Sequence, residues 1–119
     1  MDDFSRYFEP VREVLKSVNW PGVEESLSWG TSALKCNKKL ICRIREPGVL
    51  VLICDMDDKQ FLMASQPDIY FETDHYKGYP AVLIRLLEID PADLEERLEK
   101  TWRSVAKKSQ IAEYESRTA

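Results

Sequence analysis

The sequence predicts an α+β domain, an antiparallel five-stranded sheet flanked by helices in the order α-β-β-β-α-β-β-α. Three observations predict it. Apolar residues recur at steps of three and four near both ends of the chain, the stripe of an amphipathic helix. Between them the period falls to two, or to short β-branched runs, as in strands. The turn signals Asn37-Lys38 and Glu46-Pro47-Gly48 suit hairpins between antiparallel neighbours.

Phe4, Phe8, Val11, Leu15 and Val18 make the first helical stripe. Pro10 lacks a backbone donor and fits a first turn, so the regular helix is expected from about Glu9. Trp20-Pro21-Gly22 ends it, and Val23 to Gly30 receives no assignment. Ser32 to Cys36 and Lys39 to Arg45 read as strands joined at Asn37-Lys38. In the second, alternation sets Leu40, Cys42 and Ile44 on one face and Ile41, Arg43 and Arg45 on the other. Val49 to Cys54 reads as a central strand, Asp57 to Ser65 as a short helix, Ile69 to Phe71 as a brief strand and Ala81 to Ile89 as a long one. Asp90 and Pro91 then start a helix whose apolar face is Leu94, Leu98, Trp102 and Val105, with acids early and bases late as its dipole prefers. A frayed tail is expected after Ile111. The 119 residues are read as one domain with a core at about 4–108.

Composition narrows the function classes. With 17 basic and 21 acidic residues the chain carries a net charge of −4, so nucleic-acid or anionic-membrane binding would need a local patch. No basic region followed by an apolar run opens the chain, and the longest apolar run, Val49 to Cys54, is far below the ~20 residues of a membrane helix. The expectation is a cytoplasmic protein. Cys36, Cys42 and Cys54 form no CxxC pair and read as small buried hydrophobes rather than as a disulfide or zinc framework.

No catalytic or metal arrangement is legible, and no cofactor is implied. The chain's one histidine, His75, follows Asp74, but neighbours on extended chain point to opposite sides, so they make no dyad by spacing. No GxSxG elbow, HExxH or phosphate loop occurs. The expectation is a non-enzymatic protein.

Two stretches remain as candidate sites. The loop Thr73-Asp74-His75-Tyr76-Lys77-Gly78-Tyr79-Pro80 concentrates rings and hydrogen-bonding groups between two strands; with Trp29 it offers a ligand or partner pocket at His75, Tyr76 and Tyr79. The segment from Thr31 to Arg45 holds Lys35, Lys38, Lys39, Arg43 and Arg45 and no acid. Alternation puts Lys39, Arg43 and Arg45 on one face with Lys38 at the tip, a wing able to neutralise a few phosphates, or else a solvated edge.

The blocks Trp20-Pro21-Gly22-Val23-Glu24-Glu25-Ser26, Trp29-Gly30-Thr31, Lys38-Lys39-Leu40, the loop 73–80 with Val82-Leu83-Ile84-Arg85-Leu86, and Thr101-Trp102-Arg103-Ser104-Val105-Ala106-Lys107-Lys108 resemble the MmcQ/YjbR family. The resemblance runs from about the first helix to Lys108. Ser32 and Thr101 depart from it, where family members often carry Pro and Ala. It implies a sheet flanked by helices, similar to bacterial type III secretion chaperones, and a DNA-binding role of a "double wing" type. It carries over no catalytic residues. Two functions therefore stand open. One is a DNA-binding module using the 35–45 wing, with Lys77 and Arg85 as extra phosphate contacts. The other is a protein-interaction or small-ligand module built on the aromatic loop and Trp29. The sequence does not specify an oligomeric state.

Overall fold

The computed structural model describes residues 4–118. A 3-10 turn at Ser5–Phe8 leads into α1 (Glu9–Val18), with Pro10 in its first turn as the sequence requires. Asn19, at φ 48°, closes the helix in the left-handed conformation that Asn tolerates. There follow β1 (Val23–Ser28), β2 (Thr31–Cys36), β3 (Lys39–Glu46), β4 (Val49–Ile53), α2 (Met56–Ser65), β5 (Tyr70–Phe71), a 3-10 turn at Asp74–Tyr76, β6 (Ala81–Arg85), α3 (Pro91–Val105) and α4 (Lys108–Thr118).

The sheet has six strands, in the order β1-β2-β3-β4-β6-β5, and every pairing is antiparallel. The extra strand is β1, in the stretch left unassigned. It is an edge strand with no buried residue, so its hydrophobic pattern is weak. Two tertiary features hold it. Trp29 and Gly30, at φ 55° and 79°, form its tight turn into β2. Arg12 of α1 grips the Glu25 carboxylate with two bonds, from Nε at 2.9 Å and from Nη2 at 2.8 Å.

Three other expectations change. The strand from Ala81 stops at Arg85 rather than Ile89, because its partner β4 begins at Val49 and the turn before it adds only the Gly48 carbonyl, which accepts the Leu86 N–H at 2.9 Å; Leu87 is 94% exposed. Helix α2 starts at Met56, capped by Asp55, whose Oδ1 accepts the Asp58 N–H at 2.7 Å. The chain beyond Ile111 is helical, docked by Tyr114 on the Glu99 carboxylate at 2.9 Å and by Arg117 on the Asn19 carbonyl at 3.0 Å.

Helices α1 and α3 cover one face of the sheet. Their Val11, Leu94, Leu98 and Trp102, with Phe8 of the 3-10 turn, meet Leu34, Cys42, Ile44, Leu50, Leu52, Val82 and Ile84 in the main core. Trp102 stacks beside Trp20, its centroid 6.1 Å away, and donates to the Pro21 carbonyl at 2.9 Å. The second face carries a smaller cluster, Val51, Ala81 and Leu83 beneath Tyr76 of the 73–80 loop. No helix among the described residues is long and apolar enough to cross a membrane.

Candidate functional site

The side chains singled out in the sequence converge mainly on this second, open face. Cross-strand register sets out its rows. Ser26, Ala33, Arg43, Val51, Leu83 and Phe71 lie abreast across all six strands. One adjacent row holds Glu24, Lys35 and Leu40, and the other holds Glu46, Val49 and Arg85. Arg43 stands at the centre.

Two bulges in β3 decide which side chains face this way, and both overturn simple alternation. Leu34 pairs with Cys42 while Lys35 pairs with Leu40, so Ile41 is an extra residue. Leu40 thereby turns to the open face, and Ile41 is buried in the helix-side core. Lys39 pairs with buried Cys36 and shares its helix-covered side, so it does not stand with Arg43 as expected. Arg45 is the second extra residue, between Ile44 paired with Leu50 and Glu46 paired with Val49.

Nor is Arg43 a freely solvated outward charge. Its guanidinium donates to the Tyr76 hydroxyl at 3.1 Å and to the Thr31 hydroxyl at 3.3 Å. Arg45 lies over the Tyr76 ring, 5.6 Å from its centroid, and pairs with Glu46 at 3.2 Å. His75 and Tyr79 meet Tyr76 edge-on at 4.8 Å and 6.0 Å. Trp29, 88% exposed at the β1–β2 turn, overhangs a groove of about 220 Å³ lined with Leu40, Arg43, His75 and Tyr79. Arg85 sits at the far edge of the face, 4.0 Å from the Phe71 centroid, and donates to the carbonyls of Pro67 and Asp68. Lys77 is exposed on the loop, and Lys35 donates to the Leu27 carbonyl at 3.2 Å.

The expected wing thus divides. Its tip, Asn37-Lys38, has both residues at positive φ, as a tight hairpin turn demands. Asn37 is tied to Gln110 of α4 at 3.0 Å and to the Val105 carbonyl at 3.3 Å. Lys38 and Lys39 therefore belong to the end where α3 meets α4, away from the aromatic loop.

A residue that the sequence did not single out supports the site from below. Lys59 of α2 is wholly buried, and its ammonium meets the Tyr76 carbonyl at 2.7 Å, the Tyr79 carbonyl at 2.9 Å and the Glu72 carboxylate at 2.9 Å. Three acceptors for three donors satisfy the charge fully and fix the loop that carries His75, Tyr76 and Tyr79. Its neighbours Asp57 and Asp58 make it read as an ordinary surface lysine.

Burial pushes the Cys54 thiol up to about 11 and raises Cys36 and Cys42 as well, so none is activated as a thiolate. His75 packs edge-on against the Tyr76 ring. Among the described residues no group of three His, Cys, Asp or Glu side chains is placed to hold a metal ion.

Fold and face together define a class of small α+β domain, in which helices pack on one side of an antiparallel sheet and the 73–80 loop covers part of the other, with aromatic and cationic side chains around it. The chain belongs to the YjbR family, also known as MmcQ-like; the family model matches residues 18–104, from the end of α1 through α3. It is 36% identical over 98 residues to an uncharacterised protein of Mycobacterium tuberculosis, covering 78% of this chain and 76% of the relative. An uncharacterised Mycobacterium bovis protein matches to the same extent. No solved structure matches the chain.

Proposed function

We propose that this protein is a non-enzymatic nucleic-acid-binding module whose contact surface is the open face of the sheet. One observation carries the reading: Arg43 and Arg45 are held beside Tyr76 on the sheet face opposite the α1–α3 layer. Guanidinium groups fixed against an aromatic ring lose little freedom on meeting a phosphate or a base, and the exposed rings of Trp29 and Tyr79 at the margin of the face are surfaces on which bases stack. Lys35, Lys77 and Arg85 are the flanking phosphate contacts, and Lys38 with Lys39 marks a separate basic end. The net charge of −4 keeps the electrostatic part small.

Salt-titrated binding to mixed-sequence oligonucleotides tests this. With about three or four phosphate contacts, log K falls with log salt at a slope of roughly −2 to −4, without a preferred sequence. Arg43→Gln with Arg45→Gln weakens binding at least about tenfold, since hydrogen bonds from charged groups are the strong ones. A circular-dichroism melt of the variant separates this loss from unfolding. Absence of binding to any oligonucleotide at low salt overturns the proposal. The groove beneath exposed Trp29 favours a second reading, a protein-interaction or small-ligand module, and that reading then takes its place.

A further inference from the structure

We propose that the open face takes single-stranded nucleic acid, with one unpaired base seated on Trp29 in the groove closed by His75 and Tyr79. The inference rests on the nucleic-acid reading and specifies its ligand.

Trp29 is in the wrong place for a structural tryptophan. It is the first residue of a tight hairpin turn at φ 55°, a backbone conformation that suits Asn, Asp or Gly and is strained for a bulky side chain. Its ring gains almost nothing from packing in return, being 88% exposed. The chain's other two tryptophans are core residues, Trp20 and Trp102. A large ring held bare at a strained turn is what a stacking contact with a ligand requires.

The groove below it discriminates among ligands. Its volume of about 220 Å³ is below the ~300–1,000 Å³ typical of sites that enclose a drug-sized molecule, and suits a single planar ring. Aromatic side chains stand at its margins, and the Arg43 guanidinium offers donors on its wall. Charge argues in the same direction. Glu24 lies abreast of Lys35, and Glu46 pairs with Arg45, so the face attracts phosphate only modestly. Duplex binding without base contacts would depend on that attraction, because paired bases are stacked out of reach. An unpaired base can enter the groove and add stacking to the weak electrostatic term.

The test uses the full chain and one mixed sequence of about 12 nucleotides, offered as a single strand and as its duplex. Trp29 is the exposed indole, so stacking is read directly as quenching of tryptophan fluorescence, and affinity by anisotropy of the labelled strand. The expected result is quenching by the single strand, binding about tenfold or more tighter than the duplex, and a salt slope of about −2 to −3. Trp29→Asn, whose new residue suits the turn, melts no lower than the wild type and loses about tenfold or more in single-strand affinity, while Trp29→Phe retains most of it. Equal affinity for strand and duplex, or binding without quenching, overturns this inference and leaves the nucleic-acid reading standing. Absence of binding to both forms overturns the two together.

Discussion

Lys59 leaves α2 with its ammonium fully enclosed, and the two carbonyls and one carboxylate around it are what keep the 73–80 loop in place. Replacing it by Met keeps the length of the side chain but strands these acceptors. A buried acceptor without a partner costs about 1–3 kcal/mol, and Glu72 is partly solvated, so Lys59→Met is expected to cost about 2–4 kcal/mol in urea denaturation. Amide exchange in residues 73–80 should rise more than in the sheet. A loss below about 0.5 kcal/mol with unchanged exchange would show that the loop is held by its aromatic contacts alone. Lys59 was illegible in the sequence because burial of a lysine depends on acceptors 13 to 20 positions away, and no periodicity encodes them. Trp29, Tyr76 and Tyr79 were legible, because rings gathered around turn residues are anomalous in any fold.

Among the elements, α4 and the edge strand β1 were the least legible, and both are held by polar contacts rather than by a long apolar stripe. Glu99 of α3 is the hub for α4. It accepts from Tyr114 of α4 at 2.9 Å, from Arg103 at 3.0 Å and from the Trp20 indole at 3.4 Å. Burial works to raise the Glu99 carboxyl, but the bonds from Arg103, Tyr114 and Trp20 outweigh it and hold the group below the usual carboxylate range. A carboxyl depressed on folding stabilises the protein in full above its unfolded pKa of about 4.3, and the contribution is lost as pH falls through the lower folded value. Glu99→Gln is therefore expected to cost about 1 kcal/mol near neutral pH, a modest figure because the group is partly exposed. The gap between variant and wild type should narrow below about pH 4 in urea melts. A constant gap from neutral pH to about pH 3 would mean that the shape of Glu99, not its charge, positions α4.

At the scale of the whole molecule one core joins the helices to a single face of the sheet, and Trp102 is its largest shared piece. Its ring is wholly buried, packed with Trp20 and edge-on to Tyr114 at 5.2 Å. Trp102→Ala is expected to cost about 3–5 kcal/mol, a large part of the stability of a domain this size. Denaturant melts followed by far-ultraviolet circular dichroism measure it, and a change under about 1 kcal/mol would mean that α3 does not carry the core. Lys59→Met and Trp102→Ala make a useful pair, since the first should loosen one loop and the second the entire fold.

The α+β class, α1, α3 and the strands from β2 to β4 were set by the sequence itself, because helical and strand periods and hairpin turns are local properties that a few adjacent residues enforce. Membership of the YjbR family was also carried by local blocks of sequence. The tertiary structure alone decided the sixth strand, the end of β6 and the facing of β3. An edge strand exists only where a neighbour offers its hydrogen bonds, and a strand ends where its partner does. A single extra residue in β3 reverses which side chains meet the helices, and alternation cannot foresee it. That is why Lys39 leaves the basic group that the sequence assembled, and why Arg43, Arg45, His75, Tyr76, Tyr79 and Trp29 come together as one face.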